Sequence, residues 1–352
     1  MMITLPNNKV NGHGLNSYAK LDSNSEINLS IIIPTYNRAH DLEECLDSIR
    51  GQTRKPQEII VVDDSDNEDT LNLIKSRIED FKSQKIILKF VKNEKERSSA
   101  IARNQGLNAS SGNIILFLDD DVILFNDYIE HILELYEHKD DCLGVQGHII
   151  LKDRLNKFQN FLNRFIFYNY AEKNGCRVLP STCITYPYTL DKIISCSWLA
   201  GSNQSYRRYV LDEFRFDENF KRYSWREDVD LSYRMYKKYP GSLYITPYSK
   251  VIHKISNKAR MPERSLTYMK EVYSLYVFFK DLDQSWKNRF IYIWSRLGFM
   301  LQILAMLVLN PFKNTKSKQL KLKYLIEAYM ICLNHIGEIK SGDLDFLKQE
   351  FV

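Results

Sequence analysis

Three consecutive aspartates, Asp119, Asp120 and Asp121, follow the apolar run 114–118. Asp119 and Asp121 form an Asp-x-Asp pair suited to a hard divalent cation, because Mg²⁺ and Mn²⁺ prefer oxygen ligands and bridge protein carboxylates to phosphates. A departing diphosphate needs its charge neutralised in this way. The alternative is an acidic turn that is merely solvated at a strand end. Three adjacent aspartates after five apolar residues favour the metal site.

A second acidic group, Asp63 and Asp64, follows the apolar run 58–62 and precedes Ser65. A carboxylate at this position could accept the imide N–H of a uracil ring. The pattern equally fits the N-cap of the next helix, for which Asp and Ser are preferred residues. The sequence alone leaves both interpretations open.

A third acidic group, Glu227 and Asp228, stands after Trp225 at the start of a predicted helix, 227–238. A carboxylate at such a position could act as a general base that takes the proton of an attacking hydroxyl group. Acids in a first helical turn also offset the helix macrodipole. Taken alone, the local sequence favours the electrostatic explanation.

Three basic side chains are further candidates. His253 ends the short apolar run 251–253 and is either a metal or diphosphate ligand or a structural histidine. Arg97 and Arg103 flank the segment 98–100. They either pair with phosphates or a carboxylate, or belong to a solvated helix start.

The elements that must position these residues alternate between strand and helix over residues 29–118. Parallel strands need crossover connections, so the alternation predicts an α/β fold with a mostly parallel sheet and flanking helices. In such sheets ligands bind outside the carboxyl ends of the strands, where the first two acidic groups stand. The predicted strands are 29–33, stopped by Pro34, 58–62, 86–91 and 114–118, and the predicted helices are about 42–51, 71–81 and 98–108.

After about residue 140 the alternation loosens. Residues 168–191 show no clear periodicity and are predicted to be a loop-rich insertion. From about residue 265 the pattern becomes long and helical. The elements predicted in between are a strand at 193–199, a helix at 227–238 and short strands at 243–245 and 251–253.

Composition limits the class of protein. The chain has 352 residues, 44% of them hydrophobic, and a formal net charge of +5, too small an excess to indicate nucleic-acid binding. Its six cysteines include no CxxC pair, which favours reduced thiols in the cytoplasm. Residues 1–28 have no apolar signal-like run, so we expect a flexible tail and a cytoplasmic protein.

Taken in order, six segments resemble glycosyltransferase family 2, which has the GT-A fold. They cover about residues 29–253, and six weak or moderate motifs in the family's order are strong together. The resemblance implies an inverting enzyme that uses a nucleotide diphosphate sugar, with UDP favoured, and Mn²⁺ or Mg²⁺. The segments are SIIIPTYNR (30–38), VVDDS (61–65), ARNQG (102–106), FLDDD (117–121), GSN (201–203) and REDVDL (226–231).

The resemblance also implies a role for each candidate residue. Asp228 would be the catalytic base, with Glu227 orienting it or the acceptor. The residues expected to bind the nucleotide are Pro34, Thr35, Tyr36, Arg38, Asp63, Asp64, Arg97, Arg103, Asp119 and Asp120. The residues expected to hold the metal are Asp119, Asp121 and His253. The residues expected to border the acceptor side are Trp198, Gly201, Asn203 and Trp225.

Two departures from the family pattern leave open which residues contact the base of the nucleotide. Residues 67–69 read Asn-Glu-Asp where the family more often has Ser-Thr-Asp, and the charged segment 93–97 replaces a loop that usually contains glycine. The domains that follow from the resemblance are a flexible tail, 1–28, a GT-A catalytic domain, 29–260, and a helical region, 261–352.

The helical region suggests a membrane contact. Residues 290–309 are mostly apolar but are interrupted by Arg296 and Gln302, so they are a borderline spanning helix. A basic cluster follows, which favours peripheral attachment to an anionic membrane surface over a bundle packed on the catalytic domain. The cluster comprises Lys313, Lys316, Lys318, Lys321 and Lys323.

Other functions remain alternatives at this stage. A sugar-nucleotide nucleotidyltransferase also combines an α/β sheet with metal-binding acids, but it would need a Gly-rich loop and a following lysine, and residues 34–37 offer neither. A non-catalytic carbohydrate- or partner-binding module would not need every acid to be retained. The expected partners are therefore a nucleotide-sugar donor and a glycan or lipid-linked acceptor, with no nucleic acid. The sequence leaves the sugar, the linkage and the oligomeric state undetermined.

Overall fold

The computed structural model describes residues 26–150, 155–256, 258–309 and 315–350. The chain divides into two compact units. The described residues within 1–153, 173–176 and 188–259 form the first unit, and those within 154–172, 177–187 and 260–352 form the second. Apart from residues 26–28, the predicted N-terminal tail lies outside the described residues, as does Lys313 of the basic cluster.

Strands and helices alternate through the first unit, and helices dominate the second. The strands are β1 (Leu29–Thr35), β2 (Glu58–Asp63), β3 (Ile87–Lys92), β4 (Ile114–Phe117), β5 (Val122–Leu124), β6 (Gly144–Ile149), β7 (Tyr170–Ala171), β8 (Thr185–Tyr186), β9 (Ile194–Ser195), β10 (Gln204–Arg207) and β11 (Leu243–His253). The helices are α1 (Ala39–Arg50), α2 (Asp69–Ser83), α3 (Ser99–Ala109), α4 (Tyr128–His138), α5 (Lys157–Phe165), α6 (Arg208–Glu213), α7 (Glu227–Lys238), α8 (Glu263–Asp281), α9 (Trp286–Leu309), α10 (Thr315–Asn334), α11 (Ile336–Ser341) and α12 (Leu347–Glu350).

A nine-stranded sheet forms the centre of the first unit. Its order is β3-β2-β1-β4-β10-β6-β11-β5, and β9 pairs with β11. Strands β3, β2, β1, β4, β6 and β11 run in one direction, whereas β5, β9 and β10 run against them. The continuous apolar runs of β1, β2 and β4 are buried because helices cover both faces of a parallel sheet. The predicted α/β fold with a mostly parallel sheet is confirmed.

Strand β1 is longer than the sequence predicts, because it continues through Pro34 to Thr35. Its pairing with β4 ends at Ile32, while its pairing with β2 continues to Thr35 opposite Asp63. Proline lacks a backbone N–H, and this is tolerated where one side of a strand has no partner. The prediction that Pro34 stops the strand is therefore wrong, and the extension carries Thr35 to the edge where Asp63 ends β2.

The later strands also differ from their predictions. The two short strands predicted around residues 243–253 are one strand, β11, whose pairing with β6 shifts in register between Thr246 and Lys250. The strand predicted at 193–199 is reduced to β9, residues 194–195. The insertion predicted to be loop-rich contains the short pair β7 and β8. Register shifts and two-residue pairings arise from long-range contacts that leave no period in the sequence.

Helices α5 and α8 to α12 belong to the second unit. Arg296 on α9 is buried, and its Nε lies 3.1 Å from Glu271 Oε2 on α8. Its Nη2 donates to the carbonyl of Ser181 at 3.1 Å. Among the described residues, α9 alone is long and apolar enough, by length and composition, to cross a membrane. Core helices of soluble proteins can be as long and as apolar, and about a third of the most apolar stretch of α9 is buried.

Candidate active site

The three predicted metal ligands lie together at the carboxyl edge of the sheet. His253 Nε2 is 3.0 Å from Asp121 Oδ1 and 3.9 Å from Asp119 Oδ2. One ligand atom from each of the three side chains lies within 4.8 Å of the others. Two carboxylates and an imidazole are a donor set that Mn²⁺ or Mg²⁺ accepts, so the residues fit a divalent cation.

Strand pairing brings His253 to the aspartates. Strand β4 ends just before Asp119, and the chain re-enters the sheet as β5, which pairs with β11 so that Val122 faces His253. Asp121 also accepts a hydrogen bond from the backbone N–H of Ser256 at 2.8 Å. Burial alone would raise the pKa of Asp121, but His253, the Ser256 N–H and Arg38 hold this pKa at about 2. Asp121 is therefore a permanent anion beside the imidazole.

Asp120, between the two candidate ligands, faces another set of partners. Its Oδ2 accepts a hydrogen bond from the Thr35 hydroxyl at 2.8 Å, and its Oδ1 accepts one from Arg38 Nη1 at 3.2 Å. Arg38 Nε also donates to the carbonyl of Lys258 at 2.9 Å. Burial raises the pKa of Asp120 to about 7 despite the nearby guanidinium. Thr35 and Arg38, both predicted to bind the nucleotide, thus contact Asp120, which was predicted to do the same.

Arg103 connects the candidate metal site to the third acidic group. Its Nη2 donates to Asp119 Oδ1 at 2.9 Å, and its Nη1 donates to Glu227 Oε1 at 2.6 Å. The side chain is 2% exposed, and Nη2 also approaches the carbonyl of Gly201 at 3.4 Å. A buried guanidinium is stabilised by such paired carboxylates, and its planar fork fixes their relative positions. Helix α3, which carries Arg103, begins where the Ser98 hydroxyl accepts a hydrogen bond from the Ile101 N–H.

Asp228, the predicted base, is held by two backbone N–H groups. Its Oδ2 accepts from Gly201 at 2.8 Å and its Oδ1 accepts from Val229 at 2.8 Å. Burial raises the pKa of Asp228 although both N–H groups act to lower it. Burial also raises the pKa of Glu227, to about 8, against the effect of Arg103. The pair thus consists of two carboxylates that bind protons more readily than ordinary acids.

The loop that precedes Glu227 and Asp228 contains three residues in a strained backbone conformation. Arg222, Ser224 and Arg226 adopt positive φ angles of 57°, 49° and 80°. Non-glycine residues rarely adopt this conformation, and they keep it where surrounding contacts impose it. One such contact is the hydrogen bond from the Arg222 N–H to the Arg97 carbonyl at 2.9 Å. The loop therefore ties the start of α7 to the segment before α3.

A polar cavity of about 460 Å³ opens beside the end of β2. Asp64 lines it, whereas Asp63 is 1% exposed and accepts hydrogen bonds from Ser65 N–H and Lys92. Burial raises the pKa of Asp64 to about 6, although Asn93, the Ser98 N–H and Arg97 act to lower it. Of the two carboxylates left open by the sequence, Asp64 is the one that faces the cavity. Its other lining residues are Ser65, Asp66, Lys92, Asn93, Lys95, Glu96, Arg97 and Arg222.

Tyr36 and Arg97 stack near this cavity. The Arg97 guanidinium carbon lies 4.0 Å from the centre of the Tyr36 ring, a cation–π distance. The Tyr36 hydroxyl approaches Asp66 Oδ2 at 3.5 Å, and Pro34 on β1 is partly exposed. Arg97 lines the cavity, which is large enough for a heterocyclic base, and Tyr36 lies against Arg97.

The residues predicted for the acceptor side have different surroundings. Trp198 is 4% exposed, so it belongs to the packed interior, whereas Trp225 is partly exposed. Gly201 lies against Asp228, and a Cβ there would meet Asp228 Oδ2 and Arg103 Nη2 at 3.3 and 3.4 Å. Asn203 is fully buried, and its side-chain oxygen and nitrogen have no hydrogen-bond partner among the described residues. Gly201 is the member of the group that contacts the predicted base.

Lys92, Asn93 and Arg222 are among the cavity residues to which the sequence assigned no role. Lys92 ends β3 beside Asp63, and its position at a strand end was a usable signal. Asn93 accepts hydrogen bonds from the side chain of Gln105 at 2.8 Å and from the Lys95 N–H at 3.0 Å. Arg222 reaches the cavity through the isolated bridge to Ser98, a contact across more than a hundred residues that no local pattern reveals.

The sheet and the placement of the acids at its edge define a GT-A fold. The Pyrobaculum calidifontis mannosyltransferase solved with GDP-Man and Mn²⁺ has a similar structure, with a TM-score of 0.55 and 17% sequence identity over 90% of this chain and 93% of that chain. At this level of identity the likeness shows the fold alone.

Sequence comparison identifies the family. A model described as Glycosyl transferase family 2 matches residues 30–215. The uncharacterised glycosyltransferase YwdF of Bacillus subtilis is 31% identical over 216 residues, which are 60% of this chain and 69% of that protein. The chain therefore belongs to glycosyl transferase family 2, and the resemblance seen in the sequence is confirmed.

Other relatives match over shorter segments. The Campylobacter jejuni GalNAc(5)-diNAcBac-PP-undecaprenol beta-1,3-glucosyltransferase is 34% identical over 107 residues, 30% of this chain and 33% of that protein. Matches to three further curated glycosyltransferases span only 15% to 34% of those proteins' lengths.

Proposed function

We propose that this protein is an inverting glycosyltransferase that moves a sugar from a nucleoside diphosphate sugar, with UDP as the nucleotide, onto a hydroxyl of a glycan or lipid-linked acceptor. The observation that carries the proposal is the Arg103 bridge, which joins Asp119 of the metal cluster to Glu227 beside Asp228. Arg103 therefore links an acid proposed to bind the metal for the leaving diphosphate to the acids proposed to act on the incoming hydroxyl. The acceptor class is supported by the undecaprenol-linked substrate named for the Campylobacter relative.

The donor's nucleoside occupies the cavity beside β2 in this proposal. Asp64 accepts the imide N–H of a uracil ring, because it is the cavity-lining carboxylate of the acidic pair. Tyr36 and Arg97 offer a stacked face at the opening, and Asn93 is fixed by Gln105. A carboxylate acceptor matches the imide N–H of uracil, whereas neutral cytosine and adenine offer no ring N–H at their base-pairing edge.

Asp119, Asp121 and His253 hold the divalent cation in this proposal. The cation, when bound, would supply positive charge for the diphosphate as the sugar departs. The Arg103 guanidinium orients the Asp119 carboxylate, and Arg38, at 3.9 Å, adds positive charge beside Asp121. These contacts help to position the two aspartates for the cation.

Asp228 takes the proton of the acceptor hydroxyl in a single displacement. Its two oxygens are fixed by the N–H groups of Gly201 and Val229, and its raised pKa makes it a stronger base than an ordinary aspartate. Glu227 accepts a hydrogen bond from Arg103, and this contact keeps the start of α7 in place. Attack assisted by one base, with no covalent sugar intermediate, inverts the anomeric configuration.

The experiment measures nucleoside diphosphate release from a panel of nucleotide sugars, with Mn²⁺ or with EDTA. Release should require the metal and should be fastest with one UDP-sugar. Asp228→Asn should lower sugar transfer by about 10²- to 10⁴-fold, the usual contribution of a general base. Its affinity for UDP and Mn²⁺, measured by calorimetry, should stay within about twofold of the parent because the base contacts the acceptor.

The matched control is Asp212→Asn, because the Asp212 side chain is 63% exposed and stands on another helix. It should transfer sugar at the parent rate. Parent-like transfer by Asp228→Asn would overturn the base assignment. Release of pyrophosphate instead of a nucleoside diphosphate would overturn the class of reaction.

A further inference from the structure

Helix α5 turns its apolar face outward. Phe158, Phe161 and Phe165 are 70%, 66% and 60% exposed, although their spacing places them on one side of the helix. The opposite side is polar and packed: Asn163 is 5% exposed and donates to the Asn169 carbonyl at 2.8 Å, and Asn160 donates to the Ala171 carbonyl. A helix that buries asparagines and exposes phenylalanines is built to meet an apolar phase.

Helix α9 continues this exposed face within the same unit. Trp294 Nε1 donates to the Phe165 carbonyl at 3.2 Å, and the two rings lie 5.6 Å apart. Along α9, Phe290, Leu297 and Leu301 recur at helical spacing and are 61%, 45% and 55% exposed. These three residues and Phe158, Phe161 and Phe165 are called the apolar surface below.

Positive charge accompanies the apolar surface. Neither α5 nor α9 contains an acidic residue, and their exposed charges are the basic side chains of Lys157, Arg164, Lys287 and Arg289. Helix α10 brings lysines to the far part of α9: Lys318 donates to the Met306 carbonyl at 3.0 Å, and Lys321 lies 5.5 Å from the Phe299 ring. Apolar side chains with basic neighbours complement a bilayer that carries anionic headgroups.

We propose that the apolar surface lies in the plane of an anionic lipid bilayer, with its phenylalanine and leucine side chains at the boundary between headgroups and acyl chains. None of its six residues belongs to the proposed catalytic site. The buried Arg296 favours an interfacial position over a spanning one for α9. Its ion pair with Glu271 and its bond to Ser181 hold one side of α9 against the unit, and a spanning helix would carry this charge into hydrocarbon.

Flotation of the chain with vesicles tests the proposal. Binding to phosphatidylglycerol–phosphatidylcholine vesicles should be at least about tenfold tighter than to phosphatidylcholine alone, and should weaken with salt. Phe158→Ser with Phe161→Ser should reduce this binding by about tenfold or more, because both side chains leave water on insertion. The matched control, Ile78→Ser with Ile87→Ser, replaces two exposed apolar residues of the first unit and should bind like the parent.

Quenching by brominated lipids locates the surface in the bilayer. Trp286, at the start of α9, is 81% exposed, so bromines near the headgroups should quench tryptophan fluorescence and Trp286→Phe should reduce that quenching. Each mutant's donor hydrolysis should match the parent, which separates this test from that of the proposed function.

Three results would overturn the proposal. The first is equal binding by the phenylalanine double variant and the parent. The second is quenching strongest at deep bromines together with resistance to alkaline extraction, the behaviour of a spanning helix. The third is a dimer, detected by light scattering, that the phenylalanine substitutions dissociate while no vesicle is bound, since that would assign the surface to a second copy of the chain.

Discussion

At the scale of single residues, the site depends on how buried charges are paired. Arg103 contacts Asp119, Glu227 and the Gly201 carbonyl, and removing it would take from the buried Glu227 and from Asp119 the guanidinium that they share. Breaking a buried pair is costly because the remaining charge has no partner. The sequence left open whether Arg103 pairs with phosphates or with a carboxylate, and its contacts with Asp119 and Glu227 favour a positioning role.

Arg103→Lys tests that role. A lysine ammonium cannot span Asp119 and Glu227 with two parallel bonds, so we expect kcat to fall by roughly 10- to 100-fold with a smaller change in the KM for donor. Steady-state kinetics measure the split, and Arg77→Lys, a surface residue paired with Glu43, is the control. A loss confined to KM would indicate direct phosphate binding instead.

The raised pKa of Asp64 predicts a pH dependence for nucleotide binding. The carboxyl is protonated below its pKa of about 6 and becomes a stronger acceptor above it, so UDP affinity should rise between about pH 5 and about pH 7. Asp64→Asn should weaken binding and remove that rise. Calorimetry across the pH range makes the measurement.

The control for this pH test is Asp66→Asn, which alters an exposed carboxylate on the same cavity. It should keep the rise in affinity. If the UDP affinity of Asp64→Asn kept the parent's dependence on pH, the assignment of Asp64 as the contact for the uracil ring would be wrong.

At the scale of elements, helix α3 can place Arg103 only because it lies very close to the sheet. A Cβ built on Gly106 would stand 2.3 Å from Ile32 Cγ2 on β1 and 3.2 Å from Val62 Cγ2 on β2. Such close approach leaves no room for any side chain. The glycine in this family motif is therefore explained by helix–sheet packing.

Gly106→Ala should destabilise the protein by about 1–3 kcal/mol, the usual cost of overpacking a core. Chemical denaturation measures the free energy of unfolding. The control is Gly51→Ala, where the nearest atoms to a Cβ are at 3.6 Å or more, and it should change that free energy little. Equal stability of Gly106→Ala and the parent would show that α3 can shift away from the sheet.

The sequence was sufficient to predict the helices and strands that show a pattern within a short stretch of chain. It missed strands that form only because distant segments pair with them. Strands β1, β2 and β4 and helix α7 lie close to their predicted places because apolar runs and acidic starts are visible in short windows. Strand β10 has the sequence QSYR, which carries no strand pattern, and it is a strand because β4 and β6 pair with it. Helix α5 was not predicted, although Phe158, Phe161 and Phe165 recur at helical spacing, so a usable signal was overlooked there.

The same division holds for the site. Position at strand ends was sufficient to single out Asp119 and Asp121, and the structure places both beside His253. The choice of Asp64 over Asp63 needed side-chain directions, and the Arg103 bridge needed the contact between α3 and α7. Neither follows from spacing, because both depend on how separate elements pack.

At the scale of the whole molecule, the candidate site residues all belong to the first unit. We therefore expect UDP with Mn²⁺ to slow amide hydrogen exchange at the β4–β5 junction and the start of α7. Exchange in α8 and α9 should not change. At ligand concentrations near 100 times Kd, binding should also add about 2.7 kcal/mol to the stability of the unit that binds. Protection confined to α8 and α9 would contradict the assignment of the site.

The sheet order has a consequence for how the protein is made. Strand β11, the last strand of the first unit in chain order, supplies His253 and lies between β6 and β5, both of which are synthesised earlier. The ribosome releases the chain from its N-terminus, so Asp119 and Asp121 emerge long before their histidine. Until β11 emerges, the strand order leaves β6 at an edge of the sheet and β5 without its pairing partner, so the cluster of three ligands is complete only when β11 pairs with both.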